Sequence, residues 1–316
     1  MPTVPRWSSE SFLVYAGGLI VLTAAVEALD TLVGSYGKAG FAGWAALVFG
    51  GLAAFAFGFK QAGEWLAAGV FAASTVVAWT ILVGALESWF GWLPEDVSPL
   101  RGFHVSVLAI ALLGFAAAVV ALRVFRFPLL VALAAFASGF FVTDLISNGG
   151  NWSAVVTLFV GLAFFVAALV VERGPSRPYG FWLHVAAGVT VGGALLWFWH
   201  ESDADWALVA VAGIVYVALA VPTRRSSYAV LGAYGLYLSA TYFAETWSGN
   251  EGAEAAFVAF PVGIVVYLFS PFFGGYDEYD GGGRDWAAPL TFAVLGFLLV
   301  VLGLVLARRR GAAAGA

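Results

Sequence analysis

Long apolar runs, broken at regular intervals by short polar clusters, set the pattern of this chain. They lie near 11–33, 40–59, 65–86, 103–122, 127–146, 152–171, 180–199, 206–222, 228–246, 253–272 and 287–307. Each holds about 17–25 residues, the length a helix needs to cross roughly 30 Å of hydrocarbon. The runs are continuous and lack the ten-residue alternation of an outer-membrane barrel. The pattern predicts an all-α fold, a polytopic transmembrane bundle with about 10–11 membrane helices. No soluble domain of useful size fits between the runs, so 1–316 reads as a single integral membrane domain.

The polar clusters alternate in character. One set is basic: Arg6, Lys60, Arg123 with Arg126, Arg173 with Arg177, and Arg224 with Arg225. The other is acidic and aromatic: Asp30, Glu87 to Asp96, Asp144, Glu201 to Asp205, and Glu245 to Glu254. The excess of Lys and Arg in cytoplasmic loops then puts the basic set and the N-terminus inside. With a further eleventh crossing, Arg308, Arg309 and Arg310 would lie outside, against this trend. The segment 253–272 carries "FPVG" at 260–263, where proline removes a backbone donor and glycine loosens the helix. A re-entrant 253–272 would leave ten crossings and both ends inside. Eleven plain spans are the alternative.

Composition sharpens this picture. The chain is 62% hydrophobic and 10% charged, with a mean hydropathy of +0.94. A soluble domain carries about 25% charged residues, so the bilayer serves as solvent for most of the chain. The absence of cysteine excludes disulfides, thiolate nucleophiles, iron–sulfur clusters and Cys-based zinc sites. A net charge of −5 gives no sign of nucleic-acid binding. Arginine outnumbers lysine 12 to 2, which fits a GC-rich prokaryotic genome, and the helical bundle is then expected in a prokaryotic cytoplasmic membrane. The first run carries Glu27 and Asp30 and shows no small-residue cleavage site, so it reads as a first membrane helix rather than a signal peptide.

Asp30, Glu87, Asp144 and Glu201 are spaced 57 residues apart, each where an outward helix ends, and "ESW" at 87–89 returns as "ETW" at 245–247. One period is a hairpin: out, acidic tip, back, basic tip. This points to tandem helix-hairpin repeats. Evenly spaced spans in a bilayer of constant thickness would give the same spacing without duplication.

Candidate chemistry is sparse. "LLWFWHESDADW" (195–206) gathers His200, Glu201, Asp203 and Asp205. His and carboxylates suit zinc, manganese or non-haem iron. Adjacent His200 and Glu201 diverge on a helix, however, and lack the His-Glu-x-x-His spacing. Flanking Trp197, Trp199 and Trp206 read instead as an interfacial helix end with a solvated tip. His104 opens an inward helix and could approach His200; His184 lies near the opposite end of its helix. Carboxylates in a membrane are functional candidates by default. Glu27, one turn deeper than Asp30, and Asp144, in "FFVTDLIS", lead that group, followed by His200, Glu201 and Glu245. Small-residue clusters at 16–18, 49–51, 186–189, 191–194 and 232–235 predict close helix packing. "YDGGGR" (279–284) lacks the context of a phosphate-binding loop, and no Gly-x-Ser-x-Gly nucleophile elbow is present.

Two stretches, "VLGAYGLYLSATYFAETW" (230–247) and "APLTFAVLGFLLVVLGLVLARRR" (288–310), resemble the closing hairpin of multi-pass membrane families of unknown function in bacteria and archaea. The resemblance implies neighbouring closing helices with 248–287 inserted on the outer side. It carries over no activity and no functional residues. Taken together, the sequence predicts transport of a small solute or cation, with a non-catalytic scaffold or subunit of a membrane complex as the alternative. A membrane enzyme built on His104, His200 and nearby acids ranks below both. No cofactor or metal is expected. The expected partners are the lipid bilayer and a second copy or membrane subunit.

Overall fold

A computed structural model of the chain describes residues 9–93, 104–146, 150–174, 177–223 and 225–248, with Phe297, Val300, Val301 and Leu304. Among the described residues the chain is all-helical. The elements are α1 (Ser9–Gln61), α2 (Trp65–Trp89), α3 (Val105–Phe125), α4 (Leu129–Ile146), α5 (Gly150–Glu172), α6 (Arg177–Phe198), α7 (Asp203–Thr223) and α8 (Ser226–Ser248). Seven of the described helices are long and apolar enough to cross a membrane. The all-α bundle expected from the apolar runs is therefore what the chain forms. In lipid only such helices, or a closed barrel, satisfy every backbone group internally. Among the described residues, prolines keep to the helix ends: Pro178 lies in the first turn of α6 and Pro222 in the last turn of α7, where a missing donor matters least.

The α1 stretch is two helices, not one. Gly37 takes φ 62° and ψ −163° inside it, a region open to glycine and strained for side chains with a Cβ. The chain folds back there: the indole N–H of Trp44 donates to the carbonyl of Ala25 at 3.0 Å. Along a straight helix those residues would stand about 28 Å apart. The two arms match the runs 11–33 and 40–59, and the next seven runs fall on α2 to α8. Segment 253–272 lies outside the described residues. Within 287–307, the four described residues are helical.

The helices fall into two compact units. The first holds α1, α2, most of α3, the start of α4 and the described residues from 297 to 304. Its core centres on Phe71, fully buried, with Phe55 at 5.6 Å and Phe59 at 5.3 Å between ring centroids. Phe297 reaches the same cluster, 5.2 Å from Phe55, and Val300 is buried beside it. Lys60 donates to the carbonyl of Val124 at 3.0 Å and lies over the Phe125 ring. A cation there suits the negative end of α3. It also sets two members of the basic series, Lys60 and the end of α3 with Arg123, at the same end of this unit.

The second unit holds most of α4 with α5 to α8. Here α5 packs on α6, α7 on α8, and α6 also touches α7 and α8. Backbones meet where α7 crosses α8: a Cβ on Gly232 would stand 2.5 Å from the Gly213 carbonyl oxygen, and one on Gly213 would stand 2.9 Å from that of Gly232. This is the small-residue packing expected at 232–235, and dispersion at short range holds such helices together in lipid. The pair at 50–51 behaves otherwise: nothing lies within 4 Å of a Cβ built on either glycine.

Candidate functional site

The cluster at 200–206 is a helix start. Ser202 precedes α7, and the amide of Asp205 donates to its Oγ at 3.3 Å. In return the Ser202 amide donates to Asp205 Oδ2 at 3.1 Å. This is a reciprocal cap with aspartate as the third helical residue, satisfying donors that the first turn leaves free. Tyr242 on α8 donates to Asp203 at 2.8 Å, and its ring stacks on Trp206 at 4.8 Å. His200 and Glu201 are exposed, and His200 bonds through Nδ1 to the carbonyl of Trp197. Ser202→Ala should therefore cost about 1 kcal/mol of stability, read as a lowered thermal midpoint of the purified protein. An unchanged midpoint would deny the cap any weight.

The other sequence candidates separate. Asp144 is fully buried near the end of α4. Its neighbour Thr143, also buried, accepts from the Thr157 hydroxyl of α5 at 3.4 Å. Glu27 and Glu245 sit in helical backbone, but their side chains lie outside the described ones. Among the described residues no three His, Cys, Asp or Glu side chains gather as for a metal ion.

A different constellation, in the second unit, carries more chemistry. The α6 residues Gly180, His184 and Gly188 follow one another at intervals of four and so share one face. A Cβ on Gly180 would sit 2.4 Å from Cγ of Glu172 on α5, and one on Gly188 would sit 2.5 Å from Leu231 and 3.5 Å from the Tyr228 ring on α8. The two glycines thus make room on either side of the imidazole. His184 is fully buried, with the Phe165 and Tyr228 rings each 5.6 Å away, edge-on. Tyr216 on α7 donates to the Gly188 carbonyl at 2.9 Å.

The polar contacts form a line. His184 Nδ1 lies 2.8 Å from the Tyr228 hydroxyl, and Nε2 lies 3.2 Å from Glu172 Oε1. The same oxygen accepts a hydrogen bond from the guanidinium of Arg225, in the short connection before α8. An ionised carboxylate only accepts, so the nitrogen facing it carries the proton. That assigns Nδ1 as acceptor and the Tyr228 hydroxyl as donor. The order of contact is Tyr228, His184, Glu172, with Arg225 closing the end. Nε2 is near enough to Glu172 for an ion pair but off line for a hydrogen bond. Among the described residues Nε2, Arg225 Nε and Ser227 Oγ are buried without a hydrogen-bond partner. An imidazole with one nitrogen on a hydroxyl and the other beside a carboxylate can take a proton at one and release it at the other.

The sequence held a signal for this site. "GFWLHVAAG" (180–188) flanks a histidine with two glycines at helical spacing. Glu172 is an acid at a tip where the series is basic. Reading the small residues only as packing and the tips only as charge hid both. Compared with known proteins, the chain matches no family model, no curated protein and no solved structure. Its helices and composition therefore identify it as a multi-pass integral membrane protein, and no family is assigned.

Proposed function

We propose that the protein moves protons, or a small solute coupled to a cation, across the membrane, and that its second unit supplies the machinery. The observation that carries this reading is the fully buried His184, hydrogen-bonded to Tyr228 and set against Glu172. Titratable groups inside a membrane domain are costly to keep and mark ion or proton pathways. Asp144, also fully buried, extends the argument. It lies where α4 leads into α5, while Glu172 ends α5, so one helix of about 34 Å joins the two polar regions. In this reading the protein is a carrier rather than an enzyme. The basic tips face the cytoplasm of a prokaryotic cell, following the distribution of Lys and Arg.

Vesicles loaded with a pH-sensitive dye, under an imposed potential, test this directly. The purified protein should speed internal pH change over protein-free vesicles. Asp144→Asn and His184→Gln should each lower that rate on the order of tenfold or more, equivalent to about 1.4 kcal/mol of lost stabilisation along the path. A second reading, a non-catalytic subunit with a membrane partner or second copy, draws on the backbone contact of α7 and α8 at Gly213 and Gly232. It would be preferred if the wild-type protein moves neither protons nor cations.

A further inference from the structure

The geometry points to a proton-binding site in which His184 and Arg225 contend for one oxygen of Glu172, so that a proton taken up by the imidazole displaces the guanidinium. This names the ion for the transport reading and rests on that reading for its purpose. The exchange itself is a property of the site.

Two donors face one acceptor. Arg225 holds Glu172 Oε1, and His184 Nε2 stands 3.2 Å from the same atom without alignment. A buried donor left in that state keeps its desolvation cost without the hydrogen bond that would offset it. Any step that aligns Nε2–H with the carboxylate recovers this. Protonation supplies one. The proton binds Nδ1, and the Tyr228 hydroxyl turns from donor to acceptor. Both ring nitrogens now carry N–H, and the ring carries a positive charge. Its bond to Glu172 becomes charge-assisted, shorter and stronger than a neutral one. One N–H bond forms and no heavy-atom bond breaks. The cluster gains one positive charge, which the departure of Arg225 toward water relieves.

The neighbours permit this exchange. Arg225 belongs to the connection between α7 and α8, and its side chain is 23% exposed, so water is within its reach. Glu172 is 19% exposed and faces Gly180, which has no side chain to confine it. The charged and titratable groups facing His184 are Glu172 from α5, Arg225 from the connection and Tyr228 from α8. Tyr216 from α7 stands behind Tyr228, 5.9 Å between rings. Histidine is the side chain whose ordinary charge change falls between about pH 5 and 8. The tie between α5 and the α7–α8 connection is thus held by Arg225 when the site is empty and released when it is loaded.

The full chain holds three histidines, so nitrogen-labelled histidine in the detergent-solubilised protein gives three imidazole signal sets by NMR. His184→Gln assigns the relevant one. The expected result is a His184 that takes up a proton as the pH is lowered and gains a strongly hydrogen-bonded Nε2–H on the acidic side. Glu172→Gln should remove that bonded signal. Arg225→Met should show it already on the alkaline side, because the carboxylate no longer has a competitor. If that variant fails to fold, Arg225→Lys, which lacks the planar fork, should shift the signal part of the way. A His184 that stays neutral throughout the acid titration, or an Nε2–H indifferent to both Arg225 variants, would overturn the proposal. Titration and exchange without proton flux in vesicles would leave this site standing and remove the transport reading. Flux with a silent His184 would do the reverse.

Discussion

Gly232→Val should separate α7 from α8 and lower the stability of the second unit by about 3 kcal/mol, the upper part of the range for overpacking. The reason lies in what the new side chain would meet. Its Cβ would fall 2.5 Å from the carbonyl oxygen of Gly213 and 2.8 Å from the amide nitrogen of Val217. Both are backbone atoms of the facing helix and have no rotamer through which to withdraw. The helices must part, and parting forfeits the close dispersion contacts that stand in for the hydrophobic effect in lipid. Thermal unfolding in detergent reads the loss. Gly50→Ala is the matched control, since nothing lies within 4 Å of a Cβ there. It should leave the midpoint unchanged or raise it slightly, as alanine favours helix over glycine. Equal midpoints for Gly232→Val and the wild type would mean that α7 and α8 do not meet as described.

Glu172→Ala should be comparably damaging for an electrostatic reason. It leaves Arg225 beside a buried imidazole with no carboxylate to offset its charge. Removing one member of a buried pair costs about 3–5 kcal/mol, and the 19% and 23% exposure of the two side chains favours the lower end. Replacing both residues with methionine should recover much of that loss, because no uncompensated charge then remains. The two single changes and the double change form a thermodynamic cycle. Strict additivity of the single losses would show that Glu172 and Arg225 do not act as a pair.

How far the fold was legible depended on which force set each feature. Helix positions were readable because the bilayer imposes a length and a composition on every span. The nine runs from 11–33 to 228–246 coincide with the described helices for that reason. The return at Gly37 was readable as a gap between runs, though only the glycine's backbone angles show how the chain turns. Backbone contact at Gly232 followed from a small-residue pattern, while the similar pattern at 50–51 meets nothing. Spacing alone does not say which face has a neighbour. The polar site was the least legible part. Glu172 and Arg225 stand 53 residues apart and belong to different helix hairpins. Nothing local joins them; the packing of α6 against α8 does. The eye-catching cluster at 200–206 is compact in sequence because it is a local cap.

That separation of 53 residues also has a meaning in time. The pairs α5 with α6 and α7 with α8 are sequence neighbours, so each can form as soon as its own two helices exist. The bond from Glu172 to Arg225 cannot. At about 5–20 residues per second of synthesis, the carboxylate waits roughly 3–10 s for its cation to be made. During that interval Glu172 ends its membrane helix without Arg225, with Arg173 beside it and His184 following twelve residues later. Arg173, Arg177 and His184 are all made before Arg225, so the bond that Glu172 finally accepts comes from the last of its possible donors to be synthesised.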